Sequence, residues 1–138
     1  MTARISFLIG AAFATLVLAA CGKDDQSTTA PSTPAPTTTV FASTLSVKSS
    51  ASRTFTAAQA GTVTVTLTSL GTTAPVGMGL GVPSAGVANC TLTTSIRTTA
   101  GTTPQISAQV DAGSYCAAIF DVGNLTDTIG FEMSIVHP

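Results

Sequence analysis

One histidine, His137, and six carboxylates are all that general acid–base chemistry could draw on in this chain. A hydrolytic triad needs a nucleophile, a base and an acid that orients the base. Serine and threonine are plentiful, but the base would be the penultimate residue, expected either exposed or packed on a strand end. A glycosidase needs two carboxyl groups facing one another across the scissile bond. Beyond residue 25 the carboxylates are Asp111, Asp121, Asp127 and Glu132. Glu132 alternates with Phe131 and Met133, which predicts a solvent-facing position. Asp111 precedes Gly113 in a turn-forming run, where aspartate makes local hydrogen bonds. No pair or triad converges, and the expectation is a protein that is not an enzyme.

Two further stretches could bind an ion. "DVGNLTD", residues 121–127, offers Asp121, Asn124 and Asp127 in one loop. Calcium takes about six to eight oxygens and tolerates irregular loops, so these three side chains with nearby carbonyls could form a calcium site. The competing reading is a plain hairpin turn, with Gly123 and Asn124 at its positive-φ positions. "GMGLGVPSAG", residues 77–86, has the glycines of a phosphate loop but not the lysine or the following helix. It reads better as a strand whose outer positions, Gly77, Gly79 and Gly81, are bare enough for another group to lie close. No cofactor motif is present.

The cysteines carry the most specific signal. Residues 5–20 are almost uninterruptedly apolar, follow Arg4, and end in Ala19 and Ala20 before Cys21. That is the anatomy of a signal peptide, and the run falls short of a comfortable membrane span of about 20 residues. Leu18-Ala19-Ala20-Cys21 resembles the lipobox of bacterial lipoproteins. The resemblance implies diacylglycerol on the Cys21 thiol, cleavage just before it, and anchoring by acyl chains, each buried methylene contributing about 0.8 kcal/mol. Gly22, where an aspartate would favour inner-membrane retention, leans the address towards the outer membrane if the organism has two. Export also leads to an oxidising compartment, where Cys90 and Cys116 are expected to pair. Closing a loop of about 26 residues would stabilise the fold by roughly 3–4 kcal/mol.

The elements that must position these residues follow from pattern. Residues 1–20 are the signal, and 21–39 a tether. "QSTTAPSTPAPTTT" has no periodicity and no large apolar residue, and its prolines favour extended chain at about 3.1 Å per residue. From Val40 to the end, 40–138, the period becomes two. "TVTVTLTSL" at 62–70 alternates strictly, as do "ISAQV" and "IGFEMSI". "SYCAAIF", 114–120, is apolar on both faces and reads as a central strand. Weaker candidates lie at 43–48, 53–57, 76–82 and 89–96. Seven or eight short strands separated by glycine, proline and aspartate turns predict an all-β antiparallel sandwich.

"FTAAQAGTVTVTLTSL" at 55–70, "DAGSYCAAIFDVGN" at 111–124 and the closing "IGFEMSIVHP" together resemble the bacterial pre-peptidase C-terminal domain. The resemblance spans roughly residues 43–138. It implies a jelly-roll-like β-sandwich of secreted bacterial proteins, commonly appended to proteases; no protease domain accompanies it in these 138 residues.

Composition narrows the partners. Charged residues make up 8% of the chain, five basic against six acidic, so nucleic acid finds no basic patch. With no tryptophan and a single tyrosine, the chain lacks the usual aromatic platform for sugars. The expected function is a lipid-anchored envelope β-sandwich, non-catalytic, which meets the membrane through its lipid and binds an envelope protein or a glycan. The alternative is a calcium- or carbohydrate-binding module.

Overall fold

The computed structural model describes residues 33–138, those at 86 and 87 in their backbone alone. The signal and lipidation readings, including Cys21, and the tether up to residue 32 lie outside the described residues. Eight strands form: β1 (Thr37–Leu45), β2 (Ser50–Ala57), β3 (Gly61–Leu70), β4 (Val76–Val87), β5 (Cys90–Thr98), β6 (Ile106–Val110), β7 (Gly113–Phe120) and β8 (Ile129–His137). They make two antiparallel four-stranded sheets, one ordered β1-β8-β3-β6 and the other β2-β7-β4-β5. This is the strand order of a jelly roll, and the predicted β-sandwich is what the chain adopts. β1 begins at Thr37, three residues before the change of period at Val40, because Thr37, Thr38 and Thr39 pair with His137, Val136 and Ile135.

Each strand pairs with its reflection in the chain: β4 with β5, β3 with β6, β2 with β7, β1 with β8. The whole domain is one long hairpin, rolled so that every link except the β4–β5 turn crosses between sheets. At its tip, Ala88 and Asn89 have φ of 47° and 66°. Two consecutive positive φ values give the primed turn whose twist matches the flanking strands.

Alternation decides what goes inside. Val63, Val65 and Leu67 of β3 meet Ile129, Phe131, Met133 and Ile135 of β8, and across the gap Val76, Met78 and Leu80 of β4 with Ala117 and Ile119 of β7. Leu67, Met78, Ile119, Met133 and Ile135 are fully buried. A buried aliphatic side chain of this kind contributes about 1.5–3 kcal/mol, so the alternation decides which face of each strand turns inward, while the β3–β8 register itself shifts at a bulge between Leu67 and Ser69. β3 outruns β6, and the segment before β6 completes the pairing. Gln105 N–H donates to Val65 O at 3.0 Å, Gly101 N–H to Leu67 O at 2.9 Å, and Leu67 N–H to Gln105 Oε1 at 2.7 Å.

The outer face of the second sheet holds a smaller core. Cys90, Cys116 and Ala118 are buried there, with Leu92 against them. Gly77, Gly79 and Gly81 of β4 are bare but not vacant. A Cβ on Gly77 would lie 2.1 Å from the Phe120 ring, one on Gly79 2.7 Å from Leu92, and one on Gly81 1.9 Å from the Thr91 carbonyl oxygen. The chain's own side chains and backbone therefore fill the close approach that the glycines permit. The Cys90–Cys116 disulfide forms as expected, with Cα atoms 5.9 Å apart. It joins β5 to β7 where β4 leaves the ladder: β4 pairs with β7 only as far as Gly81 opposite Cys116. Ser52 Oγ donates to Ala88 O at 2.5 Å and holds the hairpin tip across β7. Replacing both cysteines by alanine should lower unfolding free energy by roughly 3–4 kcal/mol in denaturant titration, the entropy of opening the loop. Intact mass of exported protein should meanwhile show the pair oxidised.

Candidate functional site

The two ends of the sandwich differ. At one end Thr37 opens β1 beside His137, the last residue of β8. At the other, three connections meet: the turn at 46–49, the loop at 71–75 and the loop at 121–128. Side chains lace these three together. Lys48 N–H donates to Asp121 Oδ2 at 2.7 Å, and Asp121 N–H to Ser49 O at 3.0 Å. Asn124 Nδ2 donates to Pro75 O at 3.2 Å, and Thr128 Oγ1 to Ser46 Oγ at 3.2 Å.

Asp121 is the centre of the lacing. Its Oδ1 accepts from the amides of Gly123, Asn124 and Leu125 at 2.8, 3.0 and 3.2 Å. An aspartate opening a turn bends back on the following amides in this way, and Gly123, at φ 90°, supplies the bend. Both oxygens are thus engaged by backbone donors. Asn124 and Asp127, by contrast, line a depression of about 220 Å³ with Gly71, Thr72, Thr126 and Thr128. Asp127 Oδ2 accepts from Thr126 Oγ1 at 3.1 Å. So of the three residues proposed from sequence to share a cation, Asn124 and Asp127 come together, while Asp121 turns to its own loop. Among the described residues, no group of three or more histidine, cysteine, aspartate or glutamate side chains could hold a metal ion.

The other acid–base groups lie apart. His137 is buried at the strand end, its Nε2 3.0 Å from Thr39 Oγ1 and its ring 4.9 Å from that of Phe55. Its Nδ1 is buried with no partner. Phe55 in turn stacks on Tyr115 at 6.0 Å, so a row of rings ties β8 of one sheet to β2 and β7 of the other. Tyr115 donates from its hydroxyl to Asp111 O at 3.0 Å, which pins the β6–β7 turn. Glu132 is exposed and meets Thr68 at 3.0 Å. A second groove, of about 370 Å³, is lined by Thr54, Phe55, Thr56, Pro83 and Ser114, none of them ionisable. Sequence reasoning missed the link from Lys48 to Asp121, which joins residues 73 apart and uses a backbone amide that no motif marks.

No protein-family model matches the chain, and no curated protein matches it in sequence.

The Asp121 carboxyl is held below the usual carboxylate range, first by the Lys48 amide; desolvation opposes this, and the amides of Gly123, Leu125 and Asn124 add smaller lowering effects. A lowered folded value means the charged form is favoured by folding. That stabilisation is complete above about pH 4, where the unfolded carboxylate is also ionised, and is lost as pH falls through the folded value. Asp121→Asn should therefore melt below the parent protein at pH 7, and the gap should close as pH falls below the usual carboxylate range. A gap independent of pH would mean that the carboxylate charge does not hold the loops.

Proposed function

We propose that this chain is a lipid-anchored lipoprotein of the bacterial cell envelope whose β-sandwich works by binding, without turnover of its own. The observation that carries this reading is the apolar run at 5–20 that ends in Leu18-Ala19-Ala20-Cys21 with Gly22, Lys23 and Asp24 behind it. A chain lipidated at Cys21 would reach the sandwich through a Ser/Thr/Pro-rich segment and join it at Thr37. Gly22 favours the outer over the inner membrane in an organism that has two. The dispersal of His137, Asp111, Asp121, Asp127 and Glu132 supports binding over catalysis, because acid–base catalysis works through groups held within reach of one reacting centre. The jelly-roll order agrees with the resemblance to the pre-peptidase C-terminal domain.

A second reading, a calcium- or carbohydrate-binding module, is favoured by one observation: the polar depression that Asn124 and Asp127 line together with Thr72, Thr126 and Thr128. A loss of several degrees in melting temperature on adding chelator would support calcium there.

Cys21→Ser decides the anchor. In the bacterial host it should abolish incorporation of labelled fatty acid and either release the protein or leave an uncleaved precursor. Unchanged membrane retention of a cleaved product would overturn the lipoprotein reading. Broad hydrolase screens of the parent chain should be negative; hydrolysis abolished by substitution of His137 or of a single carboxylate would overturn the non-catalytic reading.

A further inference from the structure

An edge strand presents a row of unpaired N–H and C=O groups that invites another strand, and proteins blunt such edges with charge, shortness, proline, bulges or covering loops. Among the described residues this sandwich has four edges: β1 and β6 in one sheet, β2 and β5 in the other. Three are blunted. β6 is five residues long, follows Pro104, and gives way to the segment that covers β3 through Gln105 and Gly101. β5 is bulged at Thr93, since Thr94 pairs with Leu80 but Leu92 with Gly81. β2 carries Arg53 at a register position shared with Ala51 and Phe55, which pack on the core, yet Arg53 is exposed. An arginine placed there has to pass the strand edge to reach water.

β1 has none of these features. It runs nine residues, pairs with β8 in nine unbroken rungs, and contains no charge, glycine or proline. Val40 on it is 55% exposed. β1 and β2 are neighbours across the two sheets, so Arg53 lies on the same flank, as does Lys48 in the turn between them. Among the described residues, neither the Arg53 guanidinium nor the Lys48 ammonium has an ion-pair or hydrogen-bond partner. A second copy pairing through β1 would bring another Arg53 to this flank and meet like charge. An extended strand bearing a carboxylate would meet opposite charge.

We propose that the free edge of β1 docks an extended, acidic segment of another protein, which adds as a fifth strand to the β1-β8-β3-β6 sheet and sets a carboxylate against Arg53. Main-chain hydrogen bonds would supply the attachment and Arg53 the selectivity. The inference rests on the binding part of the function proposed above and is independent of the lipid anchor, so the two fail separately.

The probe is an acetylated nine-residue peptide of alternating threonine and valine with glutamate at its centre; the control has lysine there. Hydrogen–deuterium exchange on the full chain in mild detergent reads the outcome. The glutamate peptide should slow exchange at residues 37–45, and the lysine peptide should bind up to about fivefold more weakly, the scale of one exposed ion pair. Arg53→Glu, a change at an exposed residue, should reverse that order. Ser43→Lys places on β1 the kind of charge that guards β2, and should abolish the protection. Absence of protection by either peptide at about millimolar concentration overturns the proposal. So does protection centred on β5, or a preference that survives Arg53→Glu. Protection of 37–45 that grows with protein concentration in the absence of peptide also overturns it, since the occupant would then be a second copy.

Discussion

The pairing of the chain with its own reversed half is the constraint on which the rest of this domain depends. Apart from the β4–β5 hairpin, every ladder joins residues far apart in sequence, from Gly61 with Val110 to Thr37 with His137. Such ladders are expensive to close from an open chain, because each costs loop entropy before it yields contacts. Nesting eases the cost: once β4 meets β5, the ends that β3 and β6 must bring together are already near. The tip therefore matters more than its exposure suggests. Ala88 occupies a left-handed conformation that costs an L-residue about 1–2 kcal/mol, and the structure accepts it because only a primed turn gives both strands the right twist.

Rolling that hairpin leaves the second sheet with an awkward outer face. β4 offers glycine there at every second position, and glycine buries no side chain of its own. The chain answers with shape. Phe120 occupies the space over Gly77 and Leu92 the space over Gly79, while the Thr91 carbonyl closes on Gly81. A methyl group at any of the three would have to displace one of these. The disulfide sits at the end of this strip, where β4 turns out of the ladder and side-chain packing alone has little area to work with. A covalent link there acts on the unfolded chain as much as on the folded one.

Most of the architecture was readable because it rests on period two. β8 alternates strictly and β3 does so except at Thr66, which is buried between Val65 and Leu67, so their inward faces follow from the sequence and their limits to within a residue or two. β7 was recognisable as central from Ala117, Ala118 and Ile119, apolar on both faces because one side meets the main core and the other the disulfide cluster. The start of β1 was harder. Thr37, Thr38 and Thr39 look like the threonines of the tether, and nothing local says that they pair with a strand about a hundred residues away. The sequence left His137 either exposed or packed on a strand end for the same reason, since the neighbours that bury it, Thr39 and Phe55, arrive from β1 and β2. The candidate loop at 121–128 was visible as oxygen-rich, but its division of labour was not. Whether Asp121 faces a cation or its own backbone depends on where Lys48 lies, and that is settled by the β1–β2 turn.

On the proposed binding function, a fold of this kind also explains why function is faint in the sequence. Catalytic sites announce themselves through histidines, cysteines and carboxylates at informative spacings, because the chemistry needs those groups. Recognition through a strand edge needs only backbone N–H and C=O, which every residue but proline carries. What distinguishes a usable edge is what it lacks. On β2, β5 and β6 the chain has an arginine, a bulge, and a short strand behind a proline; on β1 it has Thr37 to Leu45 with no such device. An undefended edge is a standing aggregation hazard in a strand of high β-propensity such as this one, with four threonines, Val40 and Phe41. Arg53 and Lys48 beside it, unpaired among the described residues, narrow what can dock, since they repel a second copy of the same flank and attract a carboxylate. The charge that guards β2 thereby becomes the element of selectivity for β1.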